Sequence, residues 1–381
     1  MIRFQVALGA VALAAFAVPS FADDGDCQVI VGFKGAPSTA ALTRVGAGDD
    51  DVDTSLNIAV LKVKASKIAA LRADADVAYV EEDAIVEASG KGGKHGSPPP
   101  SPPPPPPPQP AQSIGWGVQK VWGPTQPVAT GLGIKVAVID TGIDLTHPDL
   151  QANIKGGASF VSFTTNDDDN GHGSHVAGII AALNNSIGYV GVAPNASLYA
   201  VKVLDKNGSG FLSAVAQGID WARTNGMNIG NMSLGSPSPA ATLENACNAA
   251  QAAGVLLVVA AGNNGDSDPS TTELFYPAAY PACVAVGATD INDNLAYFSN
   301  TGSFLGVSAP GVSVPSTYKD GGYATLSGTS MASPHAAGMA ALLWTGGSTA
   351  ATVRAALFTH VRDLGPAGYD NGFGWGVVYY P

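Results

Sequence analysis

Basic residues are scarce in this chain of 381 residues: 18 Lys and Arg stand against 30 Asp and Glu, for a net charge of −12. A phosphate-binding face needs a basic excess, so this balance argues against a nucleic-acid partner. An acidic surface favours solubility and can attract cations. Long apolar runs are scarce too. Val6 to Val18 is about 13 residues, short of the ~20 needed to span a bilayer, and no other stretch is apolar enough to cross one. There are only three cysteines, Cys27, Cys247 and Cys283. No His-Glu-x-x-His pattern offers a zinc site, and no Gly-x-Ser-x-Gly turn marks an esterase of the α/β-hydrolase class.

What is present is ample core material and many tight turns: 46% apolar residues and 47 glycines. The N-terminus reads as a cleavable export leader, residues 1–22, rather than a membrane anchor. Arg3 precedes the apolar run, and Ser20-Phe21-Ala22 fits the small-x-small cleavage rule. An exported chain meets oxidising conditions. Cys247 and Cys283 lie in the same large unit and are the natural disulfide pair, with two separate buried thiols as the alternative.

Residues 23–88 form a first unit: a strand at Cys27–Lys34, a short helix at Lys67–Arg72, and strand, turn and strand over Val77–Val86. Residues 89–110 read as a linker, with eleven prolines within Pro98–Pro110. Such a run adopts an extended polyproline II form and serves as a stiff spacer, a docking ligand or a glycosylated stalk. Residues 111–381 form the large unit. Apolar runs at Val136–Ile139, Leu198–Val203, Val255–Ala260 and Val284–Val286 alternate with helical patterns at Ser174–Leu183, Leu212–Thr224, Ala240–Ala253 and Ser333–Trp344. This alternation predicts an α/β fold of three layers, a parallel sheet with helices on both faces, preceded by a small α+β unit. Sites form at the carboxyl ends of parallel strands. Asp140 ends a strand, and Ser233 and Asn263 follow strands, so the three should meet at one edge.

The chemistry concentrates in three segments. Gly328-Thr-Ser330-Met-Ala-Ser333-Pro-His335 sets a serine at a helix start, with Ser333 the cap-like residue before Pro334. Asn170-Gly-His172-Gly-Ser-His175 sets an imidazole at a Gly-rich helix start. Lys135-Val-Ala-Val-Ile-Asp140 ends an apolar run in a carboxylate. A serine hydroxyl is a poor nucleophile unless a base takes its proton, and the base needs an orienting group. Ser330, His172 and Asp140 supply those three parts, in one of the known chain orders. Taken alone, Ser330 could be a helix N-cap and Asp140 a turn-capping acid, with Asp144 a lesser candidate. His95, His147, His175, His335 and His360 compete with His172.

These motifs, with Ala260-Ala-Gly-Asn263 between the second and third, resemble the subtilisin family of serine proteases, over residues 111 to about 345. Ile30-Val-Gly-Phe-Lys and Val77-Ala-Tyr-Val-Glu-Glu-Asp83 resemble that family's inhibitory pro-segment. The resemblance implies a secreted, monomeric endopeptidase with Asp140, His172 and Ser330 as triad. Asn263 would join the Ser330 amide as oxyanion donor. Gly208-Ser209-Gly210 and Ser233-Leu234-Gly235 would clamp an extended peptide, with Leu234, Ala260, Ala261, Gly262 and Phe275 about the pocket before the cut. Main-chain clamping of this kind is sequence-tolerant, so broad specificity follows. Gln112, Asp149, Leu183, Asn185, Ile187 and Tyr189 match the family's calcium ligands, a set suited to a hard cation. The pro-segment would act as an intramolecular inhibitor, and its tail would present Ala88 to the first pocket and Ile85 to an apolar one, with self-cleavage near Ala88. No membrane contact is expected once the leader is removed. Rival readings are a catalytically inactive peptide-binding protein on the same fold, separable by fluorophosphonate labelling, and the related acid peptidases that use Glu as base, against which His172 and Asn263 speak. Past Trp344 the family's final helix looks absent or replaced by a strand-like tail.

Overall fold

A computed structural model describes residues 25–48, 52–89, 109–161 and 165–380. The expected leader at 1–22 and nearly all of the proline-rich stretch lie outside the described residues.

The first unit comprises β1 (Asp26–Phe33), α1 (Thr39–Val45), β2 (Val52–Asp53), β3 (Ile58–Lys64), α2 (Ile68–Arg72), β4 (Val77–Glu82) and the tail strand β5 (Ile85–Ala88). Strands β2, β3, β1 and β4 pair antiparallel in that order. Side chains alternate across a strand, and β1 is buried on both faces for that reason. Val29, Val31 and Phe33 join Ala41, Leu61, Ile68 and Val80 in the unit's own core. Ile30, with Ile58, belongs instead to a core shared with the large unit.

The large unit runs α3 (Trp116–Trp122), β6 (Lys135–Asp140), β7 (Ile154–Ser159), α4 (His172–Ala181), β8 (Ser197–Lys202), β9 (Ser209–Phe211), α5 (Leu212–Thr224), β10 (Ile229–Met232), β11 (Leu234–Gly235), α6 (Ala241–Ala252), β12 (Leu256–Ala260), β13 (Cys283–Thr289), β14 (Leu305–Pro310), β15 (Val314–Tyr318), β16 (Gly322–Leu326), α7 (Thr329–Leu343), α8 (Ala350–Thr359), β17 (Val361–Arg362) and β18 (Val377–Val378). Nine strands form the main sheet, in the order β17-β18-β14-β13-β12-β10-β6-β8-β7. Its pairs are parallel except β17 with β18. Val136 and Val138 pack into the layer of α4 and α7, whereas Ala137 and Ile139 of the same strand pack into that of α5 and α6. The expected three layers follow directly from this alternation.

The two units join at helix starts. Neither α5 nor α6 has a side-chain cap of its own, since Phe211 and Ala240 occupy their N-cap positions. Carboxylates of the first unit fill both roles. Glu81 accepts from the amides of Ala241 (2.8 Å) and Thr242 (2.9 Å). Asp83 accepts from Ser213 N (2.9 Å) and Ser213 Oγ (2.7 Å). Anions at helix N-termini meet unpaired N–H groups and the positive end of the dipole.

Three sequence expectations need correction. The helix carrying Ser330 starts at Thr329, not Ser333, and runs through Pro334. Proline has no N–H to give the Ser330 carbonyl, and Ser233 Oγ supplies that bond instead at 2.9 Å. A final helix is present as α8, where Thr349 and Thr352 form a reciprocal capping box and Val353 and Leu357 supply the buried stripe. Cys247 and Cys283 are not joined: both are buried free thiols. Cys247 lies in α6 and Cys283 opens β13, and burial, with Cys283 as a neighbour, raises the Cys247 thiol well above its ordinary value.

Asp83→Ala should weaken the affinity of a separately supplied first unit for the large unit by roughly 10–100-fold, since hydrogen bonds to a charged group contribute ~1.5–3 kcal/mol. An unchanged dissociation constant would count against the capping account.

Candidate active site

The carboxyl ends of β6, β10 and β12 deliver Asp140, Ser233 and Asn263 to one edge, and the first turns of α4 and α7 add His172 and Ser330 from above. Asp140 has no exposed surface. Its Oδ1 accepts from His172 Nδ1 at 2.7 Å and from Thr141 N at 2.7 Å. The approach is close because Gly173 lacks a side chain: a Cβ there would stand 2.0 Å from the Gly142 carbonyl. Burial, the largest influence, depresses the His172 imidazolium. The charge and hydrogen bond of Asp140, with Asp168 adding its charge, together carry it above its ordinary value of 6.5. Burial pushes His175 down to about 3 and His335 to about 4, so neither is charged near neutral pH.

Ser330 Oγ donates to the Ser233 carbonyl at 3.1 Å, while His172 Nε2 is buried without a partner. The structure therefore brings His172 to Asp140 but leaves the serine hydroxyl bonded elsewhere. Asn263 Oδ1 accepts from Thr329 N (2.9 Å) and Thr329 Oγ1 (3.0 Å), which orients its amide nitrogen outward. That nitrogen donates to the carbonyl of Ser89.

Ser89 ends the tail of the first unit, which lies in the cleft as a strand. β5 pairs antiparallel with β9 on one side and β11 on the other. Gly210 faces Val86, Ser209 faces Glu87, and Gly235 and Leu234 face Glu87 and Ala88. Ala88 N donates to Gly208 O and Ser89 N to Ser233 O, each at 2.9 Å. Val86 is fully buried with Leu212 and Leu234, while Ile85 is 51% exposed. The tail thus sits one residue later than the sequence suggested: Ser89, not Ala88, stands at the oxyanion side chain, and Val86, not Ile85, fills the apolar pocket. A one-residue slip turns every side chain of a strand to its other face, and with Ile85 beside Val86 and Ala88 beside Ser89 either register offers an apolar and a small residue to the two pockets.

Two residues in this region escaped sequence reasoning. Asp168 is buried and accepts from Thr141 Oγ1 (2.8 Å), Gly171 N (2.9 Å), Ser174 N (2.8 Å) and Ser174 Oγ (2.6 Å). It caps α4, whose N-cap is Gly171, and ties that helix to the end of β6. Lys202, 1% exposed, donates to Thr141 O and to Asp169 Oδ1 (2.7 Å). One of three consecutive aspartates and one lysine in an apolar strand carry no local signal of such roles.

The residues expected to hold calcium gather at one place. Asp149 is fully buried, and accepts from Asn185 Nδ2 (2.8 Å), Tyr189 N (3.1 Å) and Tyr323 OH (3.4 Å). Gln112 Nε2 donates to Leu183 O at 2.9 Å, and Asn185 Oδ1 accepts from Ile187 N at 2.7 Å. Desolvation raises Asp149 to about 6. N–H and O–H donors satisfy the carboxylate here, and no cationic side chain is among those partners; one buried carboxylate beside the Leu183 carbonyl and the side-chain amides of Gln112 and Asn185 is a set of oxygen-bearing groups whose chemistry fits a hard cation.

The fold and this cleft define a serine endopeptidase made as a precursor. The chain belongs to the subtilase family: the Subtilase family model matches residues 131–376, and that of the fervidolysin N-terminal prodomain matches residues 26–83. It is 44% identical to an alkaline protease of Alkalihalobacillus alcalophilus, over 95% of this chain and 92% of that protein. It is 53% identical to subtilisin BL of Lederbergia lenta, over 70% and 97%, and 44% identical to subtilisin E of Bacillus subtilis, over 83% and 80%.

Asp168→Asn should lower the pH at which His172 titrates, followed by its imidazole proton resonances, because one of two anions favouring the imidazolium is removed. An unmoved midpoint would mean that the Asp168 charge is not felt at the ring.

Proposed function

We propose that Ser330 is the nucleophile, His172 the general base and Asp140 its orienting carboxylate in an acyl-transfer cleavage of extended peptides. With the cleft free of the tail, Ser330 Oγ turns from the Ser233 carbonyl to the open Nε2 of His172, which takes its proton as the hydroxyl attacks the peptide carbonyl. Asp140 holds Nδ1–H and stabilises the imidazolium without taking the proton. Negative charge develops on the carbonyl oxygen, where the Asn263 amide and the Ser330 backbone N–H receive it. The imidazolium then protonates the leaving amine, and water repeats the sequence on the acyl-enzyme. The observation that carries this reading is the Asn263 bond to the Ser89 carbonyl, on a strand clamped by Gly208–Gly210 and Ser233–Gly235.

The tail lies as a cleavage product would, so the reading places self-cleavage between Ser89 and Gly90, and the first unit then acts as an intramolecular inhibitor. Ser330→Ala should leave the precursor uncut and peptide hydrolysis near the residual level of binding and oxyanion stabilisation, with His172→Ala about as severe, since triad members act as a unit. N-terminal sequencing of the wild-type enzyme should give a chain starting at Gly90. A start at Ser89 or Ala111, or normal processing in Ser330→Ala, would show the register or the agent to be wrong.

The leader at 1–22 directs the chain out of the cell, where it works as a monomer without membrane or nucleic-acid partners. Calcium sits at Gln112, Asp149, Leu183, Asn185, Ile187 and Tyr189, where it neutralises a desolvated carboxylate and stabilises the native state by mass action. Chelation should therefore lower the unfolding temperature, and Asp149→Ala should abolish most of that sensitivity. A melting curve indifferent to excess chelator in the wild type would remove calcium from the account.

A further inference from the structure

We infer that Phe275 closes the pocket ahead of the scissile bond, so that the enzyme selects a small side chain there; the inference rests on the reading of this cleft as the peptidase site. Ser89 sets the frame. Its amide is held by Ser233 and its carbonyl by Asn263, so its side chain lies between the segment that continues from Ser233 to Gly235 and the one that leads through Gly262 to Asn263.

Both segments carry glycine where a cleft of this kind would deepen, and a ring fills the space. A Cβ on Gly235 would stand 2.3 Å from Phe275 Cε1, and one on Gly262 would stand 2.9 Å from Phe275 Cγ. The ring therefore touches both walls at their backbone. It is 8% exposed. Its backbone is fixed from either side: Phe275 O accepts from Ala279 N at 2.9 Å, and Tyr276 exchanges bonds with Ser236 at 2.8 and 2.9 Å. Swinging the ring away would break the pairing that holds the cleft wall.

The tail matches this shape. Ser89 is a two-atom side chain, buried, and its hydroxyl has no hydrogen-bond partner. The polar group nearest Gly262 is the Asn300 amide, which is already committed to Glu273 O (2.9 Å) and Asn264 N (2.6 Å). The pocket thus offers little depth and no free polar partner. Glycine, alanine and serine fit. A leucine, phenylalanine or lysine must displace a packed ring, and overpacking of that kind costs roughly a tenfold or greater factor in rate. The main-chain clamp still tolerates any sequence elsewhere, so the broad specificity expected from it narrows at this one position.

The test is kcat/KM of the mature enzyme on peptides that differ only before the cut: Ala, Ser, Leu and Phe. Wild type should prefer Ala or Ser over Phe by roughly tenfold or more, and Phe275→Gly should reverse or flatten that ratio within the same preparation. A second arm needs no purified mature variant. Ser89→Phe should stall maturation of the precursor, and Phe275→Gly should restore it. Wild-type preference for Phe or Leu, or a ratio unmoved by Phe275→Gly in an enzyme that still cuts, overturns the inference and leaves the peptidase reading intact. Failure of every peptide, together with no fluorophosphonate labelling of Ser330, overturns both.

Discussion

A carboxylate with no contact with water sits at the centre of this molecule, and much of its neighbourhood exists to make that tolerable. Burying an ion is expensive by several kcal/mol unless partners replace its hydration. Asp140 has two donors on one oxygen, the Thr141 amide and the His172 ring. Those donors are fixed in turn. Thr141 and the first turn of α4 are gathered onto Asp168, and the Thr141 carbonyl is held by Lys202. The ends of β6 and β8 and the start of α4 thereby become one rigid piece. Gly142 and Gly173 are needed for the same reason, since a side chain on Gly173 would collide with the Gly142 backbone.

The other half of the cleft is held by a reciprocal pair. Pro334 leaves the Ser330 carbonyl without its helical donor, and Ser233 Oγ provides one while its own carbonyl receives Ser330 Oγ. The strand that binds peptide and the helix that carries the serine are therefore fastened at their point of contact. The first unit supplies what the large one lacks. Helices α5 and α6 begin on Phe211 and Ala240, residues that cannot cap, and Asp83 and Glu81 reach across to do so. Helix starts that depend on another unit's carboxylates are stabilised most while that unit is attached, which links the making of the fold to the presence of its inhibitor.

The layers of the fold were legible because β6 and β12 are continuous apolar runs and α5 has clear helical spacing; α5 begins and ends where its pattern predicts. The meeting of Asp140, Ser233 and Asn263 at one edge was legible because parallel strands place their ends together, whereas His172 and Ser330 lie at helix starts and were picked out by their motifs. What stayed hidden depends on contacts between distant segments. α8 is short, with a buried stripe of two residues, so its periodicity is weak. Asp168 and Lys202 look like surface charges until the chain folds over them. The tail register turns on one residue, in a segment where Ile85 and Val86 are adjacent and so are Ala88 and Ser89. The spacing of two cysteines, 36 positions apart in sequence, carries no information about whether their sulfurs meet or bond.

The cleft accepts its occupant only as the middle strand of three, with β9 and β11 on either side. A chain segment can enter that arrangement only if none of its own backbone groups is already paired. In a native globular protein such segments arise by fraying or local opening, whose free energies range from near zero at loops to the full stability of the core. When opening and closing are fast relative to cleavage, the cutting rate follows the population of the open form. Residues around the cut decide how well an opened segment fits, but the stability of the target decides how often one is offered. For folded proteins, the enzyme is in effect a gauge of its victims' rigidity: they should be digested in the order in which their weakest regions come undone.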